Sequence, residues 1–246
     1  MPQGQNRGLA GDREIDPRWK DLYNIGAIAS ILQLVIVILA VAAFFIWPYA
    51  PGFTSTEAVF TAIQNDRLGG LMALDFFLLA GSLVSVVTYL AMYVSLKRVN
   101  ESLALIALAL GLIAVAALIP ARPISEIITL SDRYAAATTD AERNLVLAAG
   151  ESLLALFNGT SWLIYYFLGP ISGLISSFLM LRSRFFKKAT AYVGLVTSIV
   201  ACGILLPGLG AILAMLSMLG YMIWNVQLAL EFFRLGRQAA ASNESR

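Results

Sequence analysis

Histidine is absent from these 246 residues, cysteine occurs once, and only 13% of the residues are charged. Without imidazole there is no usual zinc site, no Ser-His-Asp or Cys-His arrangement and no histidine-based acid/base chemistry. A lone Cys202 excludes an intramolecular disulfide and any cysteine-clustered metal or iron–sulfur site. A net charge of +2 is too small for a nucleic-acid binder. The chain also lacks a P-loop, a dinucleotide fingerprint, H-E-x-x-H and G-x-S-x-G. No segment carries the regular arginines of a voltage sensor or a TVGYG-like filter. These absences leave no catalytic residue, metal or cofactor to name, and the chain reads as a non-enzyme.

Hydrocarbon is what the chain has in excess. Residues of the AVILMFWYC set make up 59%, against roughly 45–50% for a soluble domain. The mean hydropathy is +0.78. A helix needs roughly 20 apolar residues to cross a bilayer. Six segments qualify: about 26–47, 71–96, 103–121, 161–181, 189–206 and 209–232. A spanning β-barrel would show alternating segments of about ten residues instead. The expected fold is therefore an all-α membrane protein, a six-helix bundle. Residues 1–24 form a polar tail, 25–236 the membrane domain and 237–246 a second tail. The first span is too long for a signal peptide and no A-x-A site follows it, so it reads as a retained anchor.

The basic residues set an expected orientation. Arg7, Arg13, Arg18 and Lys20 precede span one, and Lys97 and Arg98 link spans two and three. Arg182, Arg184, Lys187 and Lys188 link spans four and five, and Arg234, Arg237 and Arg246 follow span six. Only Arg67, Arg122, Arg133 and Arg143 lie on the other side. Both termini should thus be cytoplasmic, in the inner membrane of a bacterium. Trp47, Tyr49, Trp162, Tyr165 and Tyr166 mark the outer interface. Two outer connections are long. The first is 48–70. In the second, 122–160, Ile124, Ile127 and Ile128 share a helical face and Thr139–Glu142 forms a capping box. That loop should be partly helical and cover the outer mouth of the bundle. A bend is expected near Asn158-Gly159-Thr160, because an unbroken helix to Leu181 would be about twice the hydrocarbon thickness.

Several polar residues are candidates for a ligand or transport site. Asp75 is the acidic residue well inside a predicted span, about one turn from its outer end. Ser82, Tyr89 and Tyr93 fall on the same side of that helix, with Ser85 beside them. Asp75 reads either as a ligand or proton group or as the ion-pair partner of Arg122, which ends span three on the same side. Tyr221 and Asn225 follow Ser217 at four-residue spacing in span six, and Gln33 follows Ser30 in span one. Such groups pack helices by hydrogen bonds or line a cavity. Gly169-Pro170 interrupts span four and frees the carbonyl of Tyr166. Small residues at 169, 173 and 177 and at 190, 194, 198 and 202 predict close packing of spans four and five. The expected partners are membrane lipids, other membrane subunits or a second copy, with no nucleic acid.

Taken together, Tyr89-Leu-Ala-Met-Tyr-Val-Ser-Leu-Lys-Arg-Val-Asn100, Leu130-Ser-Asp-Arg-Tyr-Ala-Ala-Ala-Thr138 and Ala148-Ala-Gly-Glu151 carry a resemblance. So do Ser177-Phe-Leu-Met-Leu-Arg-Ser-Arg-Phe185, Ala191-Tyr-Val-Gly194, Trp224 and Leu235-Gly-Arg237. Over roughly Tyr23 to Arg237 the chain resembles an uncharacterised bacterial six-helix membrane family catalogued as domain of unknown function 4386. The resemblance implies a multi-pass cytoplasmic-membrane protein and supplies no activity, substrate or catalytic residue.

Overall fold

A computed structural model of the chain describes residues 16–47 and 55–244. All regular structure among these residues is helical. The elements are α1 (Lys20–Ile46), α2 (Thr56–Asn65), α3 (Arg67–Ala73), α4 (Phe76–Leu96) and α5 (Glu101–Leu118). They continue as α6 (Ile124–Ala136), α7 (Asp140–Leu154), α8 (Thr160–Arg182), α9 (Lys188–Cys202) and α10 (Gly210–Glu244).

Six stretches are long and apolar enough to cross a membrane: α1 with its leading 3₁₀ turn, α4, α5, α7 and α8 taken as one run (Asp140–Arg182), α9 with its trailing turn, and α10. Their large side chains stay uncovered: Ile28 is 57% exposed, Phe45 80%, Ile199 56% and Leu219 58%. Contiguous apolar surface on that scale belongs in lipid, and the chain is a multi-pass helical membrane protein.

Local chemistry sets the helix ends. Pro17 and Asp16 start a short 3₁₀ turn ahead of α1, the Asp16 carboxylate accepting from the Arg18 N–H at 3.2 Å. Ser55 caps α2 and Asp66 caps α3. Thr139 and Glu142 make the reciprocal capping box at the start of α7. A 3₁₀ turn, Ala155–Asn158, and Gly159 separate α7 from α8, and α8 itself runs on through Pro170.

The expected spans and the observed helices differ at several ends: the first helix already starts at Lys20, within the expected polar tail, and α9 ends at Cys202, a 3₁₀ turn (Gly203–Leu205) replacing its expected last turn. Span two was expected from Leu71, but the chain breaks at Leu74-Asp75 and α4 starts at Phe76. The cause is Asp75, whose φ of 62° is left-handed and cannot continue a helix. The 48–70 connection contains α2, which turns Val59, Phe60 and Ile63 inward. The last helix passes the expected end at 232 and continues to Glu244. Expectations about Arg7, Arg13, Tyr49 and Arg246 fall outside the described residues.

Two compact units emerge. The terminal unit comprises described residues through Leu32, Ser85–Gly111, and those from Pro170 on. Its core is built from Tyr23, Met92, Met180, Phe186, Trp224 and Phe232, among others. Here α8, α9 and α10 approach closely at glycines. A Cβ on Gly194 would lie 2.4 Å from Ser177 Oγ and 2.6 Å from Trp224 Nε1, and one on Gly173 would lie 2.4 Å from Ser198 Oγ. The loop unit comprises Gln33–Val84 and Leu112–Gly169. Its core is Val59, Phe60, Ile63, Leu74, Ile124, Ile127 and Phe157, with Tyr134 and Leu153 packed against it.

Candidate functional site

In the loop unit, Arg122 follows the end of α5, and its side chain is 1% exposed. A guanidinium buried that deeply must be paired or hydrogen-bonded throughout. Its Nε donates to Asp75 Oδ2 at 2.9 Å. Its Nη1 donates to the carbonyls of Ala121, at 2.8 Å, and Phe157, at 3.1 Å. The cation also lies 4.7 Å from the Phe157 ring centroid. One side chain therefore ties together the α3–α4 junction, the end of α5 and the turn leading into α8.

The placement of Asp75 differs from the sequence expectation. It lies at the junction rather than inside a span, directly ahead of α4, with its side chain 25% exposed. A carboxylate there faces the positive end of the α4 dipole. Its left-handed backbone costs on the order of 1 kcal/mol. Tyr166 lies within electrostatic reach of both Asp75 and Arg122 and packs against Trp162 in a tilted arrangement, ring centroids 4.7 Å apart.

Two of the other candidates, Ser82 and Asn225, make hydrogen bonds within their own helices. Ser82 is buried and donates to the Leu79 carbonyl at 2.7 Å, while Gln33 is half-buried in α1. Tyr89, Tyr221 and Asn225 belong to the terminal unit. There Tyr89 packs against Gly111, and Asn225 Nδ2 donates to the Tyr221 carbonyl at 2.9 Å. Glu151 is exposed on α7 and is not among the Arg122 partners.

Around the Arg122 cluster, α2, α6 and α7 form a cross-braced cap. Ser131 Oγ donates to the Phe60 carbonyl at 3.0 Å, and Gln64 Nε2 donates to Ser131 and Asp132, each at 2.9 Å. Arg67 grips Asp132 with both terminal nitrogens, and together with Gln64 it pulls the Asp132 carboxyl down to about 2. The Tyr134 hydroxyl donates to Glu57 at 2.6 Å. Trp47 Nε1 donates to Asp66 at 2.7 Å. Gly150 lets α7 close on Phe60, where a Cβ would lie 2.5 Å from the ring.

A shallow groove of about 570 Å³ runs between α6 and α7. Leu130, Leu153 and Ala149 give it apolar surface, and Ser125, Thr129, Ser152 and Glu126 add hydroxyls and one carboxylate. A second cavity, in the terminal unit, has about 10 Å³ and touches Asp16, Tyr23 and Arg98. Neither is lined by Asp75 or Arg122. No group of three or more Cys, Asp or Glu among the described residues could hold a metal ion.

The terminal unit has an ionic cluster that the sequence reading passed over. Glu231 is 3% exposed on α10 and pairs with Arg234. Its Oε1 accepts from the Lys187 N–H at 3.2 Å, while Arg234 donates to the Phe185 carbonyl. The signal was the Glu231-x-x-Arg234 spacing at the end of span six, which reads equally well as charge left at a membrane surface.

No curated protein and no solved structure is significantly similar to the chain. A family's sequence model does match, over residues 28–233, which takes in all six apolar helices at least in part. The chain belongs to that family, described as Domain of unknown function (DUF4386).

Proposed function

We propose that this is a non-enzymatic protein of a bacterial cytoplasmic membrane, with both termini inside, that binds a small or lipidic molecule on its outer cap. An accessory role in a larger membrane assembly is compatible with that binding. The observation that carries the reading is the cap itself. Three helices drawn from two connections are bound into one core, stapled from beneath by Arg122, and they leave a groove of ligand size. A connector that only joined spans would need none of this. The 13-to-4 division of basic residues supports the orientation. The test is purification in native lipid nanodiscs with identification of co-purifying molecules. An amphiphile enriched with the wild type and lost in Ala149→Trp, which fills the groove from an exposed position, is the expected result. An identical set of molecules in both proteins rejects the groove.

A small transporter or channel working through Asp75 is the second reading. The helix break at Asp75 and the partial exposure of its carboxylate favour it, because discontinuous helices form many transport sites. Asp75→Asn discriminates. A transport or ligand group would leave the variant as stable as the wild type, whereas a structural partner of Arg122 would not.

A further inference from the structure

We infer that the loop between α8 and α9 is a binding site for an anionic phospholipid of the surrounding bilayer. The loop and its flanks carry Arg182, Arg184, Lys187 and Lys188 within seven residues, all exposed. None of the four pairs with a carboxylate among the described residues, whereas Arg18, Arg67, Arg98, Arg122 and Arg234 all do. Four uncompensated cations so close together repel one another, and a flexible loop would let them spread apart. This loop is held still. Phe186 is buried against Phe232, with ring centroids 6.2 Å apart. Glu231 takes the Lys187 N–H and Arg234 takes the Phe185 carbonyl. Ser183 is buried and accepts from the Phe185 N–H at 3.0 Å. The guanidinium of Arg182 rests 4.3 Å from the Phe178 ring centroid.

Glu231, the carboxylate that accepts from the loop's own backbone, is thus turned inward and already paired. It fixes the backbone and leaves the exposed charges unneutralised. A phosphodiester supplies the missing charge, and each cation near such a surface adds several-fold to affinity. The surface beside the loop suits the rest of a lipid. Tyr192, Val196 and Ile199 line one exposed stripe of α9, each 56–58% exposed. An acyl chain would lie along that stripe while the head group meets the cations.

The test uses the full chain in detergent and reads thermal unfolding and native mass spectra with phosphatidylglycerol, phosphatidylcholine or inorganic phosphate added. Phosphatidylglycerol is expected to raise Tm by several degrees more than phosphatidylcholine, and phosphate to have little effect. Arg184→Gln/Lys187→Gln/Lys188→Gln should lower the preference for phosphatidylglycerol about tenfold or more, while Lys97→Gln/Arg237→Gln keeps it. Glu231→Gln should reduce the preference although every cation remains, because the platform loosens. The proposal is overturned if the triple variant keeps its preference, if Lys97→Gln/Arg237→Gln loses as much, or if phosphate stabilises as well as the lipid. Retention of wild-type Tm in plain detergent by the triple variant ensures that lost preference is not lost folding.

Discussion

Among the described residues, the most buried charge of each unit acts as a fastener, but the two have opposite sign and different reach. In the loop unit the buried group is Arg122, whose partners Asp75 and Phe157 lie 47 and 35 residues away. In the terminal unit it is Glu231, whose cation sits three residues along the same helix and whose distant partner is a single backbone N–H. A guanidinium offers five donors in a fixed fork, so one side chain can close several carbonyl ends at once. A carboxylate only accepts, and here it needs Arg234 to reach the Phe185 carbonyl. The terminal unit therefore leans more on apolar packing and glycine contacts between long helices. The loop unit, which contains the short helices α2, α3, α6 and α7, relies more on its buried cation, with the exposed Arg67–Asp132 pair beside it.

If that contrast is right, the largest effect follows from removing Arg122. Arg122→Gln should cost about 3–5 kcal/mol, because Asp75 and two carbonyl ends lose their donor. Asp75→Asn should cost less, since a quarter of that side chain already meets solvent. The double variant should cost less than the sum of the two, the mark of coupled neighbours. Thermal unfolding in detergent measures all three, and strict additivity would break the pairing. Next in size is Gly194→Ala in the terminal unit. Its methyl would sit 2.4–2.6 Å from Ser177 and Trp224, so about 1–3 kcal/mol of overpacking is expected, along with altered Trp fluorescence. An unchanged Tm would show that α8 and α9 can separate there at no cost. Smaller still, Thr139→Ala removes one side of the capping box and should cost about 1 kcal/mol, with faster hydrogen exchange confined to the start of α7.

The smallest expected effect is that of acid. Asp132 in the loop unit and Asp16 in the terminal unit are both held down to about 2, by Arg67 and Arg18 respectively. Their folded values lie below the unfolded value of 3.8. Their contribution is therefore complete above about pH 4 and is lost as pH falls toward 2. Arg67→Gln should flatten that acid loss for the loop unit, and a fluorescence titration of cap exposure reads it.

The sequence made some of this legible and hid the rest for physical reasons. The six spans are read directly because crossing hydrocarbon demands about 20 apolar residues, a requirement that composition alone can reveal. The Thr139–Glu142 capping box is local and equally plain. Asp75 and Arg122 could be paired on paper because both are costly at their depth. The break at Asp75 could not be foreseen, because the apolar run passes through it without interruption and only its left-handed backbone shows the stop. Helix α2 was missed because its inward face is only Val59, Phe60 and Ile63, and its partners on α6 and α7 lie some 70 to 90 residues away. Glu231 was missed because a charge at the end of a span looks solvated until the neighbouring loop is seen to cover it.

Hydrogen exchange of residues 124–154, compared between the wild type and Arg122→Gln, most directly tests whether the cap is a folded unit held by one cation. The account predicts slow exchange across α6 and α7 in the wild type. It predicts that this protection falls by orders of magnitude in the variant while α9 (188–202) keeps its own. Fast exchange throughout 124–154 in the wild type, or equal protection in both proteins, would contradict it.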